Sequence, residues 1–517
     1  MDGFIRAGNP NAHPDLAFAA INDAQARPPL TFVDLRPFGP AMVLVRSHDI
    51  AEQISKASKL LPYSLTKMPE VYGHMVHVTG KTSVLAAHGE DWKRLRRRFN
   101  PGFAHQHLIT FLPRILEKSS VFLNHLNTLA DTEDPFSLVQ LLGNLTFDVI
   151  SSVVMGVDFG AQNTNQPDDF IRNYRALFHT YTSEKMDLPW FFTPRTEWKR
   201  RRLAKRLRNT LRTIVQDAFA NRRIGIAESR SVLALSLKDQ EHALTRQALD
   251  EACDQLSTFL FAGHDTTSIM LSWLFYELSR TPRALQRLRA ELDDVFGPDT
   301  DPSNVRDKLL SDGGKELLQQ LTYTAATVKE ALRLWPPAGT ARMVEPGTGF
   351  KVQTSTGEYL LDGVCVYNCA IMIQRDPDVY GDTADDFLPE RWLGDAAEQI
   401  PATAWRAFER GPRNCIGQDL ASIESRIVIA LVARRFEFVK VGTGESILDE
   451  GGKPILDSKG RVKVASDMYP TRQVTPKPVD GMMMRVKIRD TDLTEIGIFW
   501  SLFILSSFQA VNVEVET

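Results

Sequence analysis

One apolar run limits what this chain can become. Residues 245–279 contain LSTFLFAGHDTTSIMLSWLFYEL, whose middle is apolar nearly all round. A helix that is apolar all round has to be buried on most faces. At ~1.5 Å per residue it would be about 50 Å long, enough to cross a whole molecule. The segment Ala262-Gly263-His264-Asp265-Thr266-Thr267 interrupts it. Glycine inside a helix costs about 1 kcal/mol relative to alanine, and local inconsistency of this kind marks functional sites. A hydroxyl beside a carboxylate in a nearly dry pocket can pass protons stepwise. Gly263 would let the helix distort and leave room there. The competing reading is a capped kink or a packing notch. His264 reads as a packing or loop-anchoring side chain rather than a metal ligand.

The rest of the chain is long enough to wrap such a helix. It has 517 residues, 43% of them hydrophobic and 24% charged, with a formal net charge of −3. That mixture excludes a disordered chain, a fibrous repeat and a polytopic membrane protein. The near-zero charge argues against a nucleic-acid binder. Length alone suggests about three domains. Four cysteines, Cys253, Cys365, Cys369 and Cys415, are too few for a disulfide scaffold. No secretory signal pattern opens the chain, so residues 1–29 are read as a segment without a clear anchor and the thiols as reduced and facing the cytosol. Residues 496–513 carry no charge, but serine, glutamine and asparagine dilute them. A packed segment, a membrane-surface contact or an extension outside the fold suits that tail better than a span.

Local patterns predict a mainly α chain with a minor β region. Residues 30–46 hold two β-like pieces. Residues 91–98 open a basic helix, 138–157 form a buried apolar one, and 198–220 form a basic one with a solvated face. Thr281-Pro282 reads as a cap and first position of another helix. Short strands follow residue 349, a helix returns over 417–436, and residues 442–475 read as a long surface hairpin or loop. His74/His77 and His105/His107 lack further ligands at suitable spacing for a metal. Gly442-Thr443-Gly444 has no strand-to-helix setting for a dinucleotide.

The sharpest chemical signal is Phe408-Glu-Arg-Gly411-Pro-Arg413-Asn-Cys415-Ile-Gly417. Gly411 and Gly417 permit tight turns that can aim peptide N–H groups at a thiolate. Arg413 offers a fork of donors suited to a carboxylate. Phe408 can shield the sulfur, and the helix that follows points its positive end toward it. The pattern suits an iron held by one axial thiolate, with Cys415 as the metal ligand.

At these residues the chain resembles the cytochrome P-450 family, whose haem loop reads Phe-x-x-Gly-x-Arg-x-Cys-x-Gly and which is the standard case of thiolate-ligated haem. Five set positions, each matched by chance about one time in twenty, recur over roughly 500 windows with a probability on the order of 10⁻⁴. Further matches follow in order. Glu330-Ala-Leu-Arg333, continued by Leu334-Trp335-Pro336-Pro337, is similar to the family's Glu-x-x-Arg helix. Phe387-Leu-Pro-Glu-Arg391-Trp392 resembles the segment whose arginine joins that pair. The resemblance implies a buried structural lock of Glu330, Arg333 and Arg391. Asp265 and Thr266 match the residues that activate oxygen. Trp92-Lys-Arg-Leu-Arg96 resembles the helix whose indole and guanidinium hold a haem propionate. Arg342 would reach the other propionate, although it stands one residue closer to Arg333 than the family pattern places it.

The resemblance implies one haem-thiolate domain over residues 30–490, followed by an apolar tail over 491–517. It implies haem b and a monooxygenase that puts one atom of O2 into a lipophilic small molecule. Electrons would come from an NADPH-dependent flavoprotein reductase docking on a basic face that includes Lys93, Arg94, Arg97 and Arg98. Substrate would lie against Phe259, Phe261 and Ala262, with Ala338, Gly339 and Met482 nearby. The motif style is similar to eukaryotic microsomal members, and fungal secondary-metabolism enzymes come nearest, which implies cytosol-facing endoplasmic-reticulum association. An isomerase or lyase working without reductase is the alternative, as is a non-catalytic haem-binding protein. The acid–threonine pair weighs against the isomerase or lyase.

Overall fold

The computed structural model describes residues 9–489, except 10, 35, 37–40, 69–72, 182–191, 224–229 and 239–242. Residues 1–8 and the apolar tail at 496–513 lie outside the described residues. The chain is mainly helical with small sheets.

The apolar run forms one uninterrupted helix, Arg246–Arg280, whose N-cap Thr245 accepts a hydrogen bond from the Ala248 N–H at 3.1 Å. Its middle is buried as the pattern demands. The helix Leu138–Met155 runs against it. Among the described residues this is the one helix long and apolar enough to cross a membrane, with a mean hydropathy of 1.6, yet 83% of it is buried inside the protein. It spends that apolarity on the core. Further along the long helix, Trp273 stacks on Trp335 with ring centroids 3.7 Å apart and planes 4° apart. The Trp335 Nε1–H donates to Glu277 Oε1 at 2.9 Å, which fixes the start of the following loop to the long helix. Thr281 precedes the helix Pro282–Phe296 as expected, but its hydroxyl makes no capping bond; Pro282 starts the helix without one.

Among the described residues the minor β region is three small sheets. Strands β1 (Leu30–Asp34) and β2 (Ala41–Val45) pair antiparallel. They join β3 (Thr66–Lys67), β5 (Thr340–Met343) and β8 (Cys365–Asn368) in the order β1-β2-β8-β5-β3, with β2 and β8 parallel. A second sheet pairs β4 (Phe136–Ser137) and β9 (Phe436–Lys440) with β10 (Met483–Ile488) between them. Strands β6 (Lys351–Thr354) and β7 (Gly357–Leu360) form a hairpin. Residues 442–475 form a loop closed by isolated bridges, among them Ser446↔Val464 and Leu456↔Val462. The loop is tied to the end of the long helix by the Val462 N–H, which donates to Arg280 O at 2.8 Å.

Candidate active site

Glu330 and Arg333 sit one turn apart on the helix Thr322–Leu334, both with fully buried side chains. The Arg333 Nε and Nη2 donate to the two Glu330 oxygens at 2.8 Å each, in the forked geometry a guanidinium favours. Arg391 Nε adds a bond to Oε1 at 2.9 Å, the Leu388 N–H another at 2.9 Å, and the Trp392 Nε1–H one to Oε2 at 2.9 Å. Arg333 also donates to the carbonyls of Gln374, Ala384 and Asp386. Burial alone would raise the Glu330 carboxyl, but Arg333, Arg391 and the Leu388 N–H outweigh it and hold the group below the usual range. The sequence supplied three of these partners; Trp392 and the backbone groups are the additions.

The loop before the helix Gln418–Val432 is held from several sides. Gly411 has φ +76°, and a Cβ there would stand 2.1 Å from the Ser55 carbonyl oxygen, so no other residue fits. Glu409, also at positive φ, accepts from Asn368 at 2.8 Å and from the Ser55 hydroxyl at 3.2 Å, and pairs with Arg406. The Cys415 N–H donates to Phe408 O at 2.9 Å, closing the turn.

Arg96, on the helix Gly89–Phe99, donates to Asn414 O at 2.7 Å and to Asn414 Oδ1 at 3.0 Å. Arg413 donates to Ala87 O at 2.7 Å and lies 5.1 Å from the centre of the Trp92 ring. Trp92, Arg96, Arg413 and Cys415 therefore meet at one place. The Cys415 thiol is pushed up by desolvation among protein atoms, although its residue surface stays open. The N–H groups of Gly417 and Gln418 and the charges of Arg96 and Lys67 pull in the other direction. Arg342 is fully buried on β5, in register with Lys67 of β3, and helps lower the Glu409 carboxyl after Arg406. The donor set is one soft sulfur with N–H groups aimed at it, beside a bank of cations. That chemistry fits an iron cofactor with anionic side arms. Lys67 was missed in the sequence because a two-residue strand leaves no pattern.

The notch in the long helix is built differently from expectation. A Cβ at Gly263 would stand 2.6 Å from Ile150 Cγ1. The glycine serves close packing against the helix Leu138–Met155, and the helix stays regular rather than distorted. Asp265 and Thr266 do not bond each other. The Thr266 hydroxyl donates back to Ala262 O at 2.7 Å, and its side chain lines a cavity of about 440 Å³ shared with Phe408, Gln418 and Pro337. Asp265 turns to another cavity, of about 360 Å³, where Lys477 Nζ lies 2.8 Å from Oδ1 and the Thr475 hydroxyl donates to Oδ2. His264 packs edge-on against Phe147 and Tyr174, both at 5.4 Å, with Nδ1 at 2.7 Å from Leu260 O. Thr475 and Lys477 gave no signal in the sequence, being far from the notch in a polar segment.

The expected substrate-facing residues separate into two groups. Phe261 meets the Phe178 ring at 5.7 Å, Ala262 is half-buried, and Ala338 and Gly339 are exposed. Gly339 also has a packing reason, since a Cβ there would collide with the Tyr367 hydroxyl. Phe259 instead packs on Phe99 and Phe103 at 5.3 and 5.0 Å, inside the core. Met482 has no exposed surface and belongs to the same core. Phe261 belongs to that same core cluster, and none of the six lines one of the described cavities. The basic face is partly engaged: Arg94 forms two 2.8 Å bonds to Glu251 and Arg98 turns to Ser236 O at 2.9 Å, while Lys93, Arg94 and Arg97 all stay exposed.

Comparison with known proteins gives a consistent answer. Residues 26–462 match the family model described as cytochrome P450. The chain is 31% identical over 488 residues to the cytochrome P450 monooxygenase acrF of Aspergillus aculeatus, covering 89% of this chain and 94% of that one. It is 29% identical over 475 residues to the cytochrome P450 monooxygenase polC of Polytolypa hystricis, covering 86% and 79%. It is 27% identical over 379 residues to the human cytochrome P450 4V2, covering 68% and 67%.

Proposed function

The chain belongs to the cytochrome P450 family and is an oxidoreductase of the monooxygenase kind, and from that premise we propose that it hydroxylates or epoxidises a lipophilic secondary metabolite. The observation that carries this reading is the meeting of Cys415, Arg96, Trp92 and Arg413 beneath a helix that bears Thr266. The names of the fungal relatives support the monooxygenase class, and the secondary-metabolite substrate rests on the motif style of the chain. The cofactor this reading takes is haem b: Cys415 would hold its iron through the sulfur, and Trp92, Arg96, Arg342 and Arg413 would partner its carboxylate arms. When bound, the haem supplies the activation of dioxygen, to which a thiolate ligand contributes by donating electron density.

The chain's own residues do the rest. Gly417 and Gln418 hold charge on the sulfur through their N–H groups. Thr266, with its hydroxyl parked on Ala262 O, is the group placed to donate a proton on the cavity side. Asp265 stands at the preceding helix position, paired with Lys477 in a different cavity, so passing a proton on to Thr266 would require it to turn away from Lys477. The lock of Glu330, Arg333 and Arg391 keeps the loop carrying Cys415 in register with the helices around it. Electrons come from an NADPH-dependent flavoprotein reductase, for which Lys93 and Arg97 on helix 89–99 supply outward charge. Association with the endoplasmic-reticulum membrane on the cytosolic side belongs to the same reading.

The deciding experiment combines the haem-loaded protein, a flavoprotein reductase and NADPH with a panel of lipophilic compounds. The expected result is NADPH consumption stimulated by at least one compound, with one added oxygen atom found by mass spectrometry. Conversion of a peroxide or other activated compound without reductase would move the protein to the isomerase or lyase class instead.

A further inference from the structure

Glu409 opens the turn that Cys415 closes, since the Cys415 N–H donates to the carbonyl of Phe408, the residue before it, at 2.9 Å. Its backbone stands at φ +54°, a conformation that strains every residue but glycine. A glycine here would remove the strain, so the side chain must offset it by what it does.

The carboxylate ties three elements together. Oε1 accepts from Asn368 Nδ2 of β8 at 2.8 Å. Oε2 accepts from the Arg410 N–H at 2.8 Å, from Arg406, and at 3.2 Å from the hydroxyl of Ser55, which ends the helix His48–Ser55. Neutral groups could make such a tie, so the charge needs a reason of its own. Arg406 already has a second carboxylate, its Nη1 lying 3.1 Å from Glu52 Oε2, an oxygen that Arg410 Nε meets at 2.9 Å. Burial would raise the Glu409 carboxyl, but Arg406, Arg342 and Asn368 outweigh it and keep the group ionised. Glu409 thus places a lasting negative charge in the loop that bears the sulfur, six residues before it. With its side chain 12% exposed, salt screens that charge little. A buried anion near a metal favours the more positive oxidation state.

We propose that Glu409 is a positioning residue of the cysteine loop whose charge lowers the reduction potential of the iron held by Cys415. Its carboxylate orders the loop against the helix His48–Ser55 and favours ferric iron over the ferrous iron that one added electron produces. It therefore fixes how strong a reductant the electron donor must be. The proposal rests on the haem-thiolate reading and adds to it the residue that sets the site's appetite for electrons.

The test is a spectroelectrochemical titration of the haem-loaded protein, with dithionite as reductant. Glu409→Gln keeps the shape and removes the charge. Its potential is expected to rise by ~59 mV, a tenfold change in the ferric-to-ferrous ratio of a one-electron couple. Glu409→Asp keeps the charge on a residue that tolerates this backbone, and its ratio should stay within about twofold of wild type. Arg406→Gln removes a cation from the same place and should lower the potential. These shifts should persist as salt is raised. A merely structural role predicts a lower thermal midpoint for the Gln variant with an unchanged potential, and that result overturns the proposal. So do equal shifts in the Asp and Gln variants. If Glu409→Gln takes up no haem, Arg406→Gln decides, and a potential that stays or rises there overturns the proposal. A wild-type protein without the red-shifted Soret band of the reduced carbon-monoxide complex would count against the haem-thiolate reading instead, so the two failures can be told apart.

Discussion

Lys477 Nζ lies 2.8 Å from Asp265 Oδ1, joining the segment before β10 to the centre of the long helix. Asp265 is 3% exposed at its side chain and Lys477 19%. Removing one partner of a buried pair leaves an uncompensated charge and costs about 3–5 kcal/mol. Lys477→Met should therefore lower the thermal midpoint, with Lys477→Arg restoring most of the loss. In the haem-loaded enzyme the Met variant should also form less product per NADPH. A Met variant with wild-type stability and coupling would show the pair to be ornamental.

Glu330→Gln removes the charge that Arg333 and Arg391 share. The same range, about 3–5 kcal/mol, is expected from denaturant unfolding. Because the folded carboxyl lies below its usual value near 4.5, its contribution is fully present above that pH. It is lost as the pH falls through the lower folded value. Wild-type stability should therefore fall more steeply than that of the Gln variant on acidification below about 4.5. Parallel acid limbs for the two proteins would contradict the assignment.

Gly263→Ala and Ile150→Ala form a double-mutant cycle. Overpacking costs about 1–3 kcal/mol, and the first substitution alone should show it, because its Cβ would stand 2.6 Å from Ile150 Cγ1. In the Ile150→Ala background the alanine should cost much less, or even fill space. Strict additivity would mean that the glycine is needed for something other than packing against Ile150.

Cys415→Ala should abolish the red-shifted Soret band of the reduced carbon-monoxide complex. Gly411→Ala should lower the haem-to-protein ratio on purification, since the new Cβ meets a backbone oxygen that cannot move aside. Thr266→Ala should leave haem content unchanged and divert NADPH use from product to peroxide. Each is read by absorbance or by peroxide assay, and unchanged values would remove the corresponding role.

What was legible in the sequence was local. The long helix showed itself because its apolar residues are contiguous, and the cysteine loop because its glycines, arginine and sulfur lie within ten positions. The lock was half visible: Glu330 and Arg333 share a helix turn, whereas Trp392 joins them only in space. Asp265 and Thr475 are 210 residues apart, and no periodicity links them. Met482 is ambiguous for a related reason. Its apolar side chain fits a substrate wall as well as a core, and in the structure it is buried in the core cluster, with its carbonyl accepting from the Leu138 N–H at 3.1 Å. Gly263 was read as room for the reaction because a glycine's neighbour across a helix interface is not written in its own segment.

The stacked Trp273 and Trp335 give the molecule an optical signature of its own. Two indoles 3.7 Å apart and nearly parallel share their excited states. The coupling depends steeply on separation and angle, and one ring rides on the long helix while the other follows the helix that carries Glu330. Near-ultraviolet circular dichroism at the indole bands thus reads the seating of these two helices directly. It does so in protein with or without its iron, which makes the assembly of the scaffold separable from the loading of the cofactor.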